Sequence, residues 1–409
     1  LSVCYHMDCY GFGKEVRRMD RRLAIAALMI FTVFLGFGII IPVLPMMVAD
    51  IDRSVAEWHT GLLLSLYSLM SFLLSPFWGG RSERVGRRPV ILTGVLGFCV
   101  SFILFGLAED RLWLMYLSRL LGGLFSGAVT ASIVAYVADI TTDRDRTKGM
   151  AVIGMSIGLG FTFGPFVGGL LSEVSLGTPF FAAAGLSLLT FVLGWTQLKE
   201  SLPPGMRAVR RDEPRVSRWT AFRGSLKYLY ILAFFVTFSL AILEATLQLY
   251  GMDRFDATPR NVGIMFFFCG LIGALVQGGF VRRYVRHGRE GRYIGVGLVI
   301  SAAGFFLLLT ANSWMAATVC LCVFGVGNAI LRPCVTSLIT QRTTVGQGLA
   351  SGVSSSMDSL GRIAGPMLGA ALLWLADWLP YTVAGVLSLA ALGLLFRFRR
   401  LDRISSLSA

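Results

Sequence analysis

Long apolar stretches alternate with short polar connections along this 409-residue chain. A helix needs about 20 mostly apolar residues to cross a bilayer. Twelve stretches of that kind are centred near residues 35, 68, 98, 126, 160, 187, 238, 272, 301, 327, 360 and 388. The strict alternation of apolar and polar residues that is typical of a membrane β-barrel is not seen in the sequence. The pattern therefore predicts an all-α membrane protein with twelve transmembrane helices.

Composition and charge support this prediction. Hydrophobic residues make up 55% of the chain and charged residues only 15%, below the roughly one quarter that is usual for soluble domains. The net charge is +14, and 30 of the 37 Lys and Arg fall in segments that lie on one side of the membrane if both termini are cytoplasmic. This asymmetry is typical of cytoplasmic loops facing anionic lipid. We expect a multi-pass plasma-membrane protein with both termini inside and no nucleic-acid partner.

The chain contains an internal repeat. The sequence GPFVGG at Gly164–Gly169 recurs as GPMLGA at Gly365–Ala370, an offset of 201 residues. The predicted segments are an N-terminal tail (1–22), a six-helix bundle (23–198), a basic cytoplasmic linker (199–227), a second six-helix bundle (228–397) and a C-terminal tail (398–409). Two related bundles are typical of transporters with a site between them. Neither a catalytic motif nor a repeated channel filter is visible, and the histidines (His6, His59, His287) fall in predicted tails or loops.

The segment GGRSERVGRRP, between the second and third apolar stretches, resembles the signature of the major facilitator superfamily. The matching residues are Gly79, Glu83, Arg84, Gly86, Arg87 and Arg88. Gly86 permits a tight turn, and Glu83 can meet a helix N-terminus. The resemblance implies a cytoplasmic lock, with Asp139 as the partner of one arginine. It also implies the major facilitator fold, with two bundles related by a pseudo-two-fold axis, and a monomer.

A second segment, GLGFTFGPFVGG, looks like the antiporter signature of the twelve-helix drug:proton antiporters. It supplies a predicted hinge at Gly160, Gly164, Pro165, Gly168 and Gly169, although close helix packing alone could also explain these glycines. The stretches FLGFGIIIPVLP, LSRLLGG and LRP are similar to the quinolone and multidrug efflux pumps of Gram-positive bacteria.

Glu244 lies in the middle of the seventh apolar stretch. On a helical wheel it shares one face with Thr237, Ala241, Gln248 and Gly251, which predicts a cavity-facing stripe. An ionised acid at the bilayer centre costs roughly 3 kcal/mol, and loss of water favours the neutral carboxyl. We expect Glu244 to exchange a proton for a cationic substrate. The alternative is a structural acid that is hydrogen-bonded to a neighbouring helix.

Asp358 is the other acid well inside an apolar stretch, and Arg362 follows it by one helical turn. Two interpretations stay open: a local ion pair between these two residues, or a second proton site at Asp358.

The resemblance implies that Arg119 couples protonation to conformational change, and that Arg332 is a functional arginine or a helix cap. Arg119 needs an acid or backbone carbonyls if it is buried. Similar pumps often carry a second acid where this chain has Asn328–Ala329. We expect a substrate cavity lined by Phe34, Phe37, Tyr67, Phe238, Gln248 and Asn328, with Phe31 and Phe267 as further aromatic candidates.

Together these features predict a proton-coupled exporter of small amphipathic drugs that works by alternating access. It would be driven by the proton gradient and would need no cofactor or metal. A dedicated exporter of one metabolite or sugar, uptake by proton symport, and a non-transporting sensor on the same fold are the alternatives. The antiporter-like signature GLGFTFGPFVGG argues against symport. The predicted lock argues against a sensor, because a sensor has no need for alternating access.

Overall fold

The computed structural model describes residues 21–142, 145–202, 205, 225–285, 288–343 and 347–407. Most of the predicted N-terminal tail and of the predicted linker lie outside these residues, whereas residues 398–407 of the predicted C-terminal tail lie inside them and continue the last helix. The segment boundaries stay predictions. The described residues form helices with short connections and contain no strand.

Twelve long helices account for the fold of the described residues. Their bounds are α1 Arg21–Ile51, α2 Ala56–Val85, α3 Arg87–Gly106, α4 Leu112–Ile140, α5 Arg146–Leu171, α6 Thr178–Gln197, α7 Leu226–Phe255, α8 Pro259–Leu275, α9 Glu290–Leu308, α10 Trp314–Arg342, α11 Gln347–Leu375 and α12 Leu379–Leu407. A 3₁₀ turn at Arg53–Val55 precedes α2, and α8 continues through a π turn at Val276–Val281.

Eleven of the twelve helices are long and apolar enough to cross a membrane. The exception is α11, which carries Asp358, Arg362 and a run of serines. The prediction of twelve membrane-spanning segments is confirmed at the level of the fold, and α11 is the polar one among them. A polar helix in an apolar bundle has to face a protein cavity or a neighbouring helix.

The helices pack as two bundles, α1–α6 and α7–α12. In the first bundle α1 packs on α5 and α3 on α4, and in the second α7 packs on α11 and α9 on α10. The bundles meet mainly where α2 lies against α11 and α5 lies against α8. The connections α2–α3, α4–α5, α8–α9 and α10–α11 share one side, called here the arginine-rich face, and so does Glu200 after α6. The connections α1–α2, α3–α4, α5–α6, α7–α8, α9–α10 and α11–α12 form the opposite face.

The antiporter-like glycines lie where α5 crosses α1. A Cβ added at Gly164 would lie 2.6 Å from the carbonyl oxygen of Leu35, and one at Gly168 would lie 2.6 Å from that of Ile39. One at Gly160 would lie 2.8 Å from the backbone nitrogen of Leu35. Only glycine permits this backbone approach. The packing explains these residue types, and their role as a hinge stays a prediction.

The same segment also contacts the second bundle. A Cβ at Gly169 would lie 2.5 Å from the carbonyl oxygen of Pro259, and one at Gly263 would lie 2.5 Å from that of Pro165. On the other side of the interface, a Cβ at Gly61 of α2 would lie 2.7 Å from the carbonyl oxygen of Pro366 on α11. Small residues therefore line both contacts between the bundles.

Replacing Gly164 by Val should destabilise the first bundle, because the new methyl groups would force α5 away from α1. Overpacking of this kind costs about 1–3 kcal/mol. Thermal unfolding of the purified protein in detergent would measure the loss. Gly154→Val is the matched control, since it lies on the same helix with no atom within 4 Å of an added Cβ. Equal unfolding temperatures for the two variants would contradict this account of the packing.

Candidate functional site

A central cavity of about 550 Å³ lies between the two bundles. Its lining begins near the middle of the molecule, at Phe37 and Tyr67 of the first bundle and Arg362 of the second. It continues past Ser75 and Val134 toward the arginine-rich face. The cavity therefore reaches from the centre of the bundle toward that face.

The first bundle supplies an aromatic and uncharged wall. Phe34 and Phe161 have ring centres 5.2 Å apart, Phe37 and Phe161 are 5.6 Å apart, and Phe37 and Tyr67 are 5.3 Å apart. Hydroxyl groups complete this wall and come from Ser68, Ser71, Ser75, Ser126 and Thr130. Such a surface accepts flat apolar groups of many shapes.

Among the described residues that line the cavity, the charged ones all come from the second bundle: Arg332, Asp358 and Arg362. Asp358 accepts a hydrogen bond of 2.6 Å from the Thr237 hydroxyl. No carboxylate among the described residues lies within 4.0 Å of the Arg332 guanidinium, which is exposed to the cavity. The two walls therefore differ in chemistry, and a bound molecule would have its polar end toward α10 and α11.

Glu244 is buried behind this charged wall, where it forms an ion pair with Arg362. The Arg362 guanidinium donates to the Glu244 carboxylate at 3.0 Å. Its central carbon also lies 4.5 Å from the ring centre of Phe161 and 5.2 Å from that of Phe37. Arg362 thus separates Glu244 from the cavity.

This pairing decides between the interpretations left open for Asp358. Arg362 pairs with Glu244 across α7 and α11, and Asp358 pairs with Thr237, so the local Asp358–Arg362 pair is not formed. The prediction that Glu244 faces the cavity directly is wrong, because the partner of this acid comes from another helix and covers it. Of the carboxylates in the described part of the chain, Asp358 is the one that lines the cavity.

Arg119 is buried in α4 without an acidic partner among the described residues. Its guanidinium carbon lies 4.6 Å from the ring centre of Phe105 and 5.4 Å from that of Tyr67. The prediction of an acid or carbonyl partner is therefore wrong, because aromatic faces solvate the cation instead. Tyr67 connects this site to the cavity, since it contacts Arg119 and lines the cavity wall.

Three predicted cavity residues do not line the cavity. Gln248 is buried and donates to the Ala257 carbonyl oxygen at 3.0 Å. Phe238 stacks on Phe234 with ring centres 5.3 Å apart. Asn328 lines a separate space of about 10 Å³, which is too small for a substrate. The helical wheel and the residue types identified polar and aromatic positions. They could not show which neighbouring helix each of these side chains faces.

The further aromatic candidates also fall outside the cavity lining. Phe31 packs against a buried apolar cluster, and the ring centre of Phe267 lies 4.7 Å from that of Phe166 between α8 and α5. Phe34, Phe37 and Tyr67 are the predicted aromatic residues that the structure places in the cavity wall.

Arg87, one of the residues of the predicted lock, forms the central contacts of this region at the arginine-rich face. Arg87 and Asp139 are both buried, and they form an ion pair of 3.2 Å. The Arg87 guanidinium also donates to the Ser82 hydroxyl at 2.6 Å. Gly86 precedes α3 with φ 116°, a conformation that favours glycine. The expected partnership of Asp139 with one arginine is confirmed, while its role as a lock stays a prediction.

Glu200 takes the place that the sequence suggested for Glu83. Its carboxylate accepts from the backbone N–H of Arg87 at 2.8 Å and of Arg88 at 3.2 Å, at the N-terminus of α3. Glu83 is half-buried on the last turns of α2, and Arg84 beside it is exposed. In the sequence, Glu200 is an acid shortly after the sixth apolar stretch, and this position is the signal that could have identified it. Only the fold shows that Glu200 contacts the start of α3.

The remaining lock residues have looser surroundings. Gly79 has no atom within 4 Å of an added Cβ, so close packing does not require glycine there. Arg88 donates from its side chain to the Trp195 carbonyl oxygen at 2.6 Å, which joins α3 to α6.

At the opposite face the two bundles are joined. The Ser65 hydroxyl of α2 donates to the Ile363 carbonyl oxygen of α11 at 2.7 Å. Arg260 pairs with Glu173 at 2.8 Å, and Arg53 pairs with Asp253. Each of these contacts links one bundle to the other, so the cavity is closed at this face. None of these pairs was anticipated from the sequence, because their partners are far apart along the chain.

Asp52 fixes the turn that carries Arg53. The Ser54 hydroxyl donates to the Asp52 carboxylate at 2.6 Å and the Ser54 backbone N–H does so at 2.9 Å. These hydrogen bonds hold the pKa of the Asp52 carboxyl below its usual range, since they favour its charged form. The turn thus stays formed at neutral pH.

Comparison with known proteins agrees with this geometry. The family model described as Major Facilitator Superfamily matches residues 26–344 and 285–408. The chain is 31% identical to multidrug resistance protein 1 of Bacillus subtilis over 83% of this chain and 86% of that protein. It is 28% identical to the quinolone resistance protein NorA of Staphylococcus aureus over 87% of this chain and 90% of that protein.

A solved structure is also similar. The human organic anion transporter MFSD10 (TETRAN) is 27% identical, covers 92% of this chain and 99% of its own, and superposes with a TM-score of 0.68.

Replacing Asp139 by Asn should destabilise the protein, because it leaves the buried Arg87 cation without its counter-charge. Breaking a buried pair from one side costs about 3 kcal/mol. Thermal unfolding in detergent would measure this loss. Asp145→Asn is the control, since Asp145 forms an exposed pair with Lys148 at 3.4 Å, and exposed pairs contribute about 1 kcal/mol or less. A loss no larger for Asp139→Asn than for Asp145→Asn would contradict this role of the pair.

Proposed function

The chain belongs to the Major Facilitator Superfamily, and on that premise we propose that it exports amphipathic, drug-like molecules in exchange for protons. The family and its relatives establish a multi-pass membrane transporter with distant similarity to multidrug efflux pumps. The proton coupling, the drug substrate and the direction of transport are the proposal.

The central cavity is the observation that carries this proposal. It lies between the bundles, is closed at one face and extends toward the other. Two bundles that rock about a site between them alternate its exposure from one side to the other. With the arginine-rich face in the cytoplasm, this is the state that takes up a substrate from inside the cell.

The cavity walls support an amphipathic substrate. An aromatic body fits against Phe34, Phe37 and Phe161, and a polar end fits against the charged wall of the second bundle. A volume of about 550 Å³ is in the range of cavities that hold drug-sized ligands, about 300–1,000 Å³.

Asp358 is the best-placed acid for exchange of a proton with a substrate. It lines the cavity, so a proton and a substrate ammonium group can compete for the same carboxylate. Glu244 has a second role in the proposal. Protonation of Glu244 would release Arg362 and change the contact between α7 and α11, which couples proton binding to the packing of the second bundle. Coupling to the proton gradient needs no cofactor.

A dedicated exporter of an organic anion is the second candidate. Two arginines and one aspartate line the cavity, and Arg332 has no carboxylate within 4.0 Å among the described residues. A substrate carboxylate could supply the missing charge. This candidate keeps the fold and the alternating access but narrows the substrates.

Removing the charge of Asp358 should uncouple transport from the proton gradient. The measurement is gradient-driven transport of norfloxacin and ethidium in proteoliposomes with an imposed pH gradient. We expect the rate for Asp358→Asn to fall by about tenfold or more, which lies within the usual range of coupling between two binding sites. Glu244→Gln should lower the response as well, since it abolishes the charge that holds Arg362.

Asp377→Asn is the control for this experiment, because Asp377 is exposed in the α11–α12 connection. If both acid variants respond to the gradient like the wild type, these two carboxylates do not couple transport. If the wild type moves neither compound, a dedicated exporter becomes the better proposal.

Arg332→Gln should change selectivity rather than coupling. Norfloxacin carries a carboxylate and ethidium is a permanent cation, so loss of the Arg332 charge should reduce norfloxacin transport by about 5- to 30-fold and leave ethidium transport equal or higher. The ratio of the two rates in proteoliposomes is the measurement. Arg397→Gln, which is exposed on α12, is the control. An unchanged ratio would remove Arg332 from the substrate site.

A further inference from the structure

A hydrogen bond between α7 and α11 sets the position of the carboxylate that lines the central cavity. The buried Thr237 donates from its hydroxyl to Asp358 at 2.6 Å. We propose that Thr237 is a positioning residue for substrate recognition: it holds the Asp358 carboxylate away from Arg362, so that the carboxylate stays available to a positively charged group of the substrate. The inference rests on the proposed role of Asp358 as the acid of the substrate site.

The Thr237 hydroxyl donates outside its own helix. A threonine in a helix commonly donates to the carbonyl oxygen of the residue four positions earlier. Thr246 of the same helix does so, since it donates to the Ile242 carbonyl oxygen at 2.9 Å. Thr32 of α1 does the same with Leu28, also at 2.9 Å. Thr237 instead donates to a carboxylate of another helix, and a hydrogen bond to a charged acceptor is stronger than one to a carbonyl.

The two helices approach closely enough for this short side chain to reach across. A Cβ added at Gly361 of α11 would lie 2.9 Å from the backbone nitrogen of Phe238 and 3.2 Å from Cβ of Thr237. One at Gly365 would lie 2.8 Å from the Phe238 carbonyl oxygen. Glycine at these positions therefore brings the backbones of α7 and α11 together. The position of Thr237 relative to Asp358 is thus set by the packing of the two helices.

Arg362 is the partner that Asp358 would otherwise have. An acid followed four residues later by an arginine on one helix forms a favourable pair. Here α7 supplies a different partner for each of the two residues. Thr237 donates to Asp358, while Glu244 accepts from the arginine at 3.0 Å. Thr237 and Glu244 are seven residues apart, about two helical turns, so they lie on one side of α7. This side of α7 therefore keeps the acid and the base of α11 apart.

The charges around Asp358 show what this separation does for a substrate. Arg332 lines the cavity together with Asp358 and Arg362, and the described lining of the first bundle carries no charge. Glu244 is buried and paired. If Asp358 also paired with Arg362, the described lining would offer no unpaired carboxylate to a substrate cation, and the charge of Arg332 would repel that cation. The Thr237 hydroxyl holds the carboxylate without neutralising it, since a hydroxyl donates a hydrogen bond but carries no charge.

The test measures binding of ethidium, a permanent cation, to the purified full-length protein in detergent by fluorescence anisotropy. Binding without a pH gradient does not depend on coupling, so it separates this inference from the proposed exchange of protons. Thr237→Val removes the hydroxyl and keeps the shape of the side chain. It should weaken ethidium binding about tenfold, because Asp358 then pairs with Arg362. Thr237→Ser restores the hydroxyl and should bind ethidium as the wild type does.

A second substitution distinguishes positioning from a purely structural role. Arg362→Met removes the competing cation and keeps an unbranched side chain against the aromatic wall. In this background Thr237→Val should change ethidium binding by less than about twofold, because Asp358 has no arginine to pair with. If Thr237 only supported the packing of α7 on α11, its loss would weaken binding by the same factor in both backgrounds. Arg362→Gln and Thr237→Ala serve in place of these variants if they do not fold.

Thr246→Val is the matched control, since it removes a buried hydroxyl of the same helix that does not line the cavity. It costs a contact of 3.2 Å with the Tyr381 hydroxyl but none with a carboxylate. Equal ethidium binding by Thr237→Val and this control would overturn the inference. If Asp358→Asn weakens binding in that case, Asp358 keeps its proposed role and only the positioning is wrong. If Asp358→Asn also binds like the wild type, or if the wild type does not bind ethidium, the inference and the proposed substrate site are both wrong.

Discussion

The ion pair between Glu244 and Arg362 is the interaction on which the central region depends. It joins α7 to α11 within the second bundle and places an acid and a base where an isolated charge would be costly. By holding Arg362, Glu244 also positions that cation against the aromatic wall of the first bundle. Arg362 therefore contacts residues of both bundles, Glu244 in the second and the aromatic wall in the first.

The buried arginines Arg87 and Arg119 are also compensated, but by different partners. Arg87 is neutralised by Asp139 and a serine hydroxyl, whereas Arg119 rests between the aromatic faces of Phe105 and Tyr67. An ion pair fixes direction, because both atoms of the pair must stay in contact. An aromatic face holds a cation less directionally. Arg119 is thus held by contacts that are less directional than the ion pair of Arg87.

The two bundles are similar in plan but not in their charges. At the start of α3 the Glu200 carboxylate accepts from two backbone N–H groups, whereas at the start of α9 the buried Glu290 accepts from the Gln341 side chain. The central cavity shows the same division, since its first wall is aromatic and its second wall is charged. The two related halves therefore carry different chemistry at the central cavity.

Much of the fold could be predicted from the sequence, because membrane helices need long apolar stretches and the repeat fixes two bundles. The partnership of Asp139 with an arginine was implied by the family resemblance, and the aromatic residues Phe34, Phe37 and Tyr67 were proposed from the sequence. The partners of Glu244, Arg119 and Asp358 did not. A helical wheel gives the face on which a side chain lies, but the residue that meets it comes from another helix far along the chain.

The sequence by itself determined the class of the protein, the number of its helices and the positions of its charged residues in apolar segments. The tertiary structure alone decided which carboxylate lines the cavity. Asp358 reaches it, and Glu244 is covered by Arg362. The physical reason is that hydrophobicity and spacing act within one helix, while charge compensation acts across helices, so only their packing pairs the charges.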